Sequence, residues 1–144
     1  MIEGLYFKAT IHGTVKPRQS HRSALIKGKF VQWDPSTREK GSIRAQIVAQ
    51  NLQPTEIIEG PVAFVVVVSE LRPKSRKKDR YPRSRGDLDN YVKLVSDAFK
   101  GFIWKDDHQV VYLFAAKRFA VNNEPPSLDI EVWQPEVFEQ RRRQ

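Results

Sequence analysis

The sequence has no cysteine and a single methionine in 144 residues. Without cysteine there is no disulfide, no thiolate zinc site, no iron–sulfur cluster and no cysteine nucleophile. Any metal chemistry is thereby turned toward a hard, oxygen-ligated ion, and the composition fits a reducing, cytoplasmic setting. Long apolar runs are missing too. The longest, Val62-Ala63-Phe64-Val65-Val66-Val67-Val68, is far short of the roughly 20 residues a membrane-spanning helix needs. Met1-Ile2-Glu3-Gly4 shows no basic stretch leading into an apolar one, so no secretory signal and no membrane association are expected. Acids are the scarcer charge, 17 against 25 Lys+Arg, for a net charge of +8. That balance points to a polyanionic partner without saying which. At 40% hydrophobic and 29% charged, the chain has the composition of an ordinary soluble protein. Its length suits one domain over residues 1–144, and no repeat or linker divides it.

Periodicity gives the elements. Leu5, Phe7, Ala9 and Ile11 alternate with Tyr6, Lys8, Thr10 and His12, the pattern of a half-buried strand over 5–14. A basic polar loop with Lys16, Arg18 and Arg22 follows, with a short extended piece at Phe30-Val31-Gln32-Trp33. Asp34-Pro35-Ser36-Thr37 starts a helix running to about residue 52, capped by Ser36 or Thr37, with Ile43, Ile47, Val48, Ala45 and Ala49 on its apolar face. Pro61–Leu71 is apolar on both faces and reads as a central strand. Leu88–Phe99 reads as a helix with Leu88, Val92, Val95 and Phe99 along its stripe, Asp87 as a cap and Gly101 just past its end. Val110–Phe119 and Leu128–Trp133 read as two further strands, and 135–144 as a tail that is a short helix or frayed. The order β-α-β-α-β-β predicts a single α+β domain (α/β-like), a mixed sheet with helices packed on it.

Charge placement is more informative than net charge. From Arg72 to Arg85 eight basic residues (Arg72, Lys74, Arg76, Lys77, Lys78, Arg80, Arg83, Arg85) face one acid, Asp79. Such a run cannot form core and reads as a basic, flexible loop over 72–86. Just beyond it lie Asp87 and Asp89, and then Asp106 and Asp107. Taken singly, Asp87 suits a helix cap, Asp89 the helix dipole and Asp106-Asp107 a solvated turn. Taken together beside a polybasic stretch, they suit a nuclease: the basic groups hold a phosphodiester backbone and the carboxylates hold Mg²⁺ against it. Asp87, at the helix start, is not yet helical, which lets it turn toward the same ion as Asp89. Lys93, four residues after Asp89 and on the same face, can neutralise charge at the reacting phosphate or hold water.

These residues resemble a known family. Asp87-Leu88-Asp89-Asn90-Tyr91-Val92-Lys93, Asp97-Ala98-Phe99 and Trp104-Lys105-Asp106-Asp107-His108-Gln109-Val110 match the pattern D-x-D-N-x-x-K, an Asp-Ala-hydrophobic step and W-x-D-D-x-Q-[IV] of the RusA-type Holliday junction resolvases. The strong match covers about 25 residues; Lys16-Pro17-Arg18 and Trp33–Thr37 extend a looser one. The resemblance implies a homodimeric, Mg²⁺-dependent endodeoxyribonuclease, with Mn²⁺ as a substitute ion and no organic cofactor. It implies resolution of four-way DNA junctions by paired symmetric cuts leaving 5′-phosphates. It assigns metal binding to Asp87, Asp89 and Asp107, with Asp106 ranked below them, the essential lysine to Lys93 and a supporting role to Asn90. It assigns DNA contacts to Lys16, Arg18, Arg22 and the eight basic residues of 72–85, a loop longer and more basic than is typical of the family. The alternative reading is a non-catalytic basic module that binds branched DNA, single strands or RNA.

The remaining conspicuous residues have weaker assignments. His12 and His21 have no partner at metal-ligand spacing, and His108 reads as a surface residue. Trp104 and Trp133 read as core or interface. Trp33 and Tyr81, in or near basic loops, are candidates for stacking on bases.

Overall fold

The computed structural model describes residues 2–13, 16–17, 19, 21–83, 86–122 and 124–143. Six strands and three helices follow in the order β1 (Leu5–His12), β2 (Arg22–Ile26), β3 (Lys29–Trp33), α1 (Thr37–Ala49), β4 (Val62–Glu70), α2 (Leu88–Phe99), β5 (Val110–Phe119), β6 (Ser127–Trp133) and α3 (Pro135–Arg142). This is the expected α+β domain, with one hairpin that periodicity did not reveal. The β2–β3 turn is Lys27-Gly28, and both residues have positive φ, 51° and 77°. Two consecutive positive φ values twist a two-residue turn to match its strands. Lys-Gly is a weak sequence signal for that turn, so the segment read as loop.

The main sheet has the order β1-β6-β4-β5. β4 lies inside it, antiparallel to β6 and parallel to β5, as its two-sided apolar character requires. The β4–α2–β5 crossover places α2 on one face beside α1, and α3 covers the other face. Phe7, Ile11, Ile43, Ile47, Phe64, Val66, Leu94, Phe99 and Trp104 form the larger core; Ala63, Trp133 and Phe138 form the smaller one under α3. Trp104 meets Phe64 and Phe99 edge-on, with ring centroids 4.9 and 5.3 Å apart, an arrangement that suits the aromatic quadrupole; Phe64 and Phe99 lie tilted at 6.0 Å.

Packing shifts two helix faces from the expected ones. On α1, Ile43 and Ile47 are buried, whereas Ala45, Val48 and Ala49 are exposed, and the helix ends at Ala49. The sheet accepts only the narrow seam that faces it. On α2 the buried stripe is Tyr91, Leu94, Val95, Ala98 and Phe99, with Leu88 and Val92 half-buried at its margin. The large Tyr91 ring is buried with that stripe. Each buried Leu, Val or Phe here contributes about 1.5–3 kcal/mol relative to exposure.

The α1 start also differs in detail. Ser36 is the N-cap, but its hydroxyl accepts from Gln19 N at 2.8 Å and caps no helix N–H. Asp34 organises the turn, accepting from Ser36 N at 2.8 Å and pairing with Lys40 Nζ at 2.5 Å. The Lys40 hydrogen bond, then the Ser36 amide, hold the Asp34 carboxyl below its ordinary pKa.

Candidate active site

α2 begins where the chain leaves the basic run. Gly86 has φ +59°, and a Cβ there would lie 2.7 Å from the Tyr91 ring and 3.0 Å from Pro17. Only glycine fits this turn. Its carbonyl accepts from Lys117 Nζ of β5 at 3.1 Å, which ties the turn to the end of the sheet. Asp87 follows as N-cap with extended backbone, and makes no side-chain capping bond. Neither Asp87 nor Asp89 has a hydrogen-bonding or charged side-chain partner among the described residues, and both are exposed. Two unengaged carboxylates, one on extended and one on helical backbone at a helix start, suit oxygen ligation of a hard ion. Asn90 donates its backbone N–H to the Asp87 carbonyl at 3.0 Å. Lys93, half-exposed one turn on, sits 3.8 Å from Asp97.

A cleft of about 570 Å³ opens beside this helix start, lined by Ser69, Glu70, Arg72, Tyr91 and Phe119 among others. Burial, then the charge of Glu70, pushes the Tyr91 phenol above its ordinary pKa. The Ser69 hydroxyl is buried without a hydrogen-bond partner among the described residues. Nothing in the sequence marked Ser69, Glu70 or Lys117 as neighbours of the helix start; β4 and β5 bring them there.

Asp106 and Asp107 lie at the other end of α2. The helix has twelve residues, about 18 Å at 1.5 Å per residue. The chain then turns at Gly101 and runs into a 3₁₀ turn, Asp107–Gln109, directly before β5. Asp106 caps that turn, accepting from His108 N, while the Gln109 side chain returns to Asp106 N at 2.8 Å. The His108 backbone bond is the main cause of the lowered Asp106 pKa. Buried Gln109 also donates to the carbonyls of Ile58 and Gly60, both at 2.8 Å, fixing the turn to the start of β4. Asp107 accepts from the indole Nε1 of buried Trp104 at 2.8 Å. Gln109 and Trp104 are thus supports of the acidic pair. Both stood in the sequence pattern, but only the fold shows what they hold.

Within one chain, then, Asp87 and Asp89 stand two residues apart at the start of α2, and Asp107 lies beyond its other end. Among the described residues no group of three or more His, Asp or Glu side chains is close enough to share an ion. One protomer presents two of the three candidate carboxylates at the α2 start.

The basic run has local order around its single acid. Asp79 pairs with Arg76 at 3.2 Å and Arg83 at 3.6 Å. Arg72 stacks 4.0 Å over the Phe119 ring and donates to the carbonyls of Arg76, Lys77 and Asp79. Arg80 lies over Tyr81. Arg72 therefore serves the fold, while Lys74, Lys77 and Lys78 are exposed. Lys16 and Arg22 are exposed as well; Arg18 and Arg85 lie outside the described residues. Trp33 and Tyr81 are exposed, and Trp104 and Trp133 are buried. No helix is long and apolar enough to cross a membrane among the described residues.

The chain is 32% identical over 136 residues to YqaN of Bacillus subtilis (strain 168), an uncharacterized protein, with 87% of this chain and 94% of the relative covered. The family model of the endodeoxyribonuclease RusA matches residues 11–133, from the end of β1 through β6 and across both acidic clusters. With the mixed sheet, the crossover helix and the paired aspartates at its start, that match means the chain belongs to the RusA endodeoxyribonuclease family.

Proposed function

We propose that the protein is a metal-dependent, structure-selective endonuclease that resolves four-way DNA junctions as a homodimer, by paired symmetric hydrolysis leaving 5′-phosphates. Family membership over residues 11–133 supports the class of reaction. The observation that carries the reading to these residues is the pair of unengaged carboxylates, Asp87 and Asp89, at the end of a basic run. A pure binder gains nothing from exposed carboxylates beneath a phosphate backbone. Asp87 and Asp89 would hold the ion, Mg²⁺ by preference and Mn²⁺ as a substitute. Held there, a divalent ion would supply polarisation of a phosphoryl oxygen and a more acidic water. Lys93 steadies negative charge at the scissile phosphate, and Asn90 supports the carboxylates. Lys16, Arg22, Lys74, Lys77 and Lys78 hold the backbones of the arms.

The separation of Asp107 from Asp87 and Asp89 supports a site completed by a second copy. In such a dimer Asp107, and with it Asp106 as a weaker contributor, comes from one protomer and the α2 start from the other. Two such sites lie about a two-fold axis, which suits symmetric cuts.

The test is cleavage of a synthetic four-way junction with and without Mg²⁺. Asp87→Asn, Asp89→Asn and Asp107→Asn should each abolish nicking while junction binding persists or tightens. Junction binding with no Mg²⁺-dependent product from the wild-type chain overturns the enzymatic reading in favour of a binding module.

A further inference from the structure

The β2–β3 hairpin stands away from the rest of the molecule. From His21 to Trp33 every residue is exposed except Ala24, which is half-buried. Each strand has five residues, so the hairpin reaches about 17 Å at 3.4 Å per residue. Leu25 is 74% exposed and Phe30 68%, and Ile26, Val31 and Trp33 are exposed as well. Large apolar side chains gathered on one exposed element mark a contact surface.

The pairing register divides them between two faces. Leu25 lies opposite Phe30, on the face that also carries Ser23 and Gln32. Ala24 opposite Val31, Ile26 opposite Lys29 and Arg22 opposite Trp33 share the other face. Antiparallel strands that dock on a folded body need one apolar face and leave the other polar. This hairpin is apolar on both, which suits a site with apolar surface on each side of it.

Charge narrows the occupant. Between Val15 and Trp33 the chain carries Lys16, Arg18, Arg22, Lys27 and Lys29 and no acid. Aromatic and apolar side chains set among cations fit DNA, where bases stack on rings and phosphates lie beside them. A continuous duplex hides its base-pair faces by stacking. At a branch point the arms end, and opening it uncovers base-pair faces on both sides of the crossing. The root of the hairpin lies at the candidate site. Pro17 packs at the Gly86 turn that directly precedes Asp87, and Gln19 N donates to the Ser36 hydroxyl at the start of α1. The segment that carries the hairpin thus passes beside the turn that presents Asp87.

We infer that the β2–β3 hairpin is a pin for branched DNA. It enters the opened branch point, where Leu25 and Phe30 cover an end base pair on one side and Ile26, Val31 and Trp33 cover one on the other. Arg22, Lys27 and Lys29 meet the flanking phosphates. The inference rests on the reading that branched DNA is the substrate. It assigns the preference for branched over linear DNA to this hairpin, apart from the exposed lysines 74, 77 and 78, which meet the backbone of either.

The test is binding without divalent metal to a four-way junction and to a linear duplex of the same sequence. The double variant Leu25→Thr, Phe30→Thr keeps strand-forming residues at two exposed positions. It should lose about 10-fold or more in junction affinity, as for a lost base stack, with duplex affinity within about 2-fold and an unchanged melting temperature. On the wild type, 5-iodouracil placed at the branch point should photocrosslink to Phe30 or Trp33, and the same base in the middle of an arm should not. A double variant that keeps the wild-type preference for the junction overturns the proposal and leaves the hairpin to a protein partner. A branch-point probe that crosslinks only outside the hairpin overturns it too. A wild type that binds junction and duplex alike overturns the substrate reading itself and the pin with it. Neither measurement uses catalysis, so failure of the pin and failure of the nuclease reading remain distinguishable.

Discussion

The indole Nε1 of Trp104 donates to Oδ1 of Asp107 at 2.8 Å. One residue is wholly buried against Phe64 and Phe99, and the other is half-buried just before β5. The core thus sets the orientation of a candidate metal ligand. Trp104→Phe keeps an aromatic ring but removes the donor. Junction cleavage should fall about 10-fold or more, as for other supports of metal ligands, with junction affinity within about 2-fold. Single-turnover cleavage beside a binding titration checks this, and a melting curve measures the packing cost separately.

A site shared between copies has a signature in mixtures. Asp87→Asn and Asp107→Asn should each be inactive alone. Subunits exchanged one to one give about half heterodimers, each with one intact site, because both substitutions fall in the same opposite site. About a quarter of wild-type sites should return, and the product should be a nicked junction rather than a resolved one. Absence of any recovered nicking, with exchange verified, counts against a shared site.

Gly86 has no substitute. Gly86→Ala meets the Tyr91 ring at 2.7 Å and holds a positive φ of 59°. The conformation alone costs about 1–2 kcal/mol, and the ring contact adds to it. Thermal or denaturant unfolding should show that loss, and nicking should fall with it, since this turn presents Asp87.

The Tyr91 phenol, raised by burial and then by Glu70, titrates above its ordinary value of 10.0. The folded pKa exceeds the unfolded one, so this group's contribution is full below the unfolded pKa. It is lost as pH rises through the folded value. Denaturant midpoints should drop above about pH 10, and Tyr91→Phe should remove that part of the pH dependence. Phenolate absorbance in the near ultraviolet reports the same ionisation directly.

Lys74, Lys77 and Lys78 are exposed, whereas Arg72 and Arg76 are occupied within the turn. Replacing the three lysines by Gln should weaken junction binding and flatten its salt dependence, by about 0.9 in log–log slope for each phosphate no longer neutralised. Arg72→Gln should instead lower stability, because its guanidinium packs on Phe119 and braces three carbonyls. Binding at several salt concentrations and a melting curve separate the two effects.

Local pattern made much of this legible. Alternation in β1, the two-sided apolar run of β4 and the start of α2 at Leu88 are recorded in residues close along the chain, where strand and helix periods act. The β2–β3 hairpin was not legible because its twist depends on backbone angles at Lys27 and Gly28 rather than on a strong turn dipeptide. Nor was the burial of Tyr91, which depends on α2 packing against the sheet. The Ser36 hydroxyl went to Gln19 instead of its own helix because the loop crosses there, a contact seventeen residues away.

The sequence by itself determined the chemistry available: no thiols, a block of basic side chains, and four aspartates at fixed places around one amphipathic helix. It also determined membership in an endonuclease family, since the motif residues lie within one short stretch of the chain. Tertiary structure decided which of those groups can meet. A helix of twelve residues is rigid and about 18 Å long, so carboxylates at its two ends cannot share an ion in one chain. That distance, invisible as spacing in a sequence, turns three aspartates of one motif pattern into parts of two protomers' proposed sites.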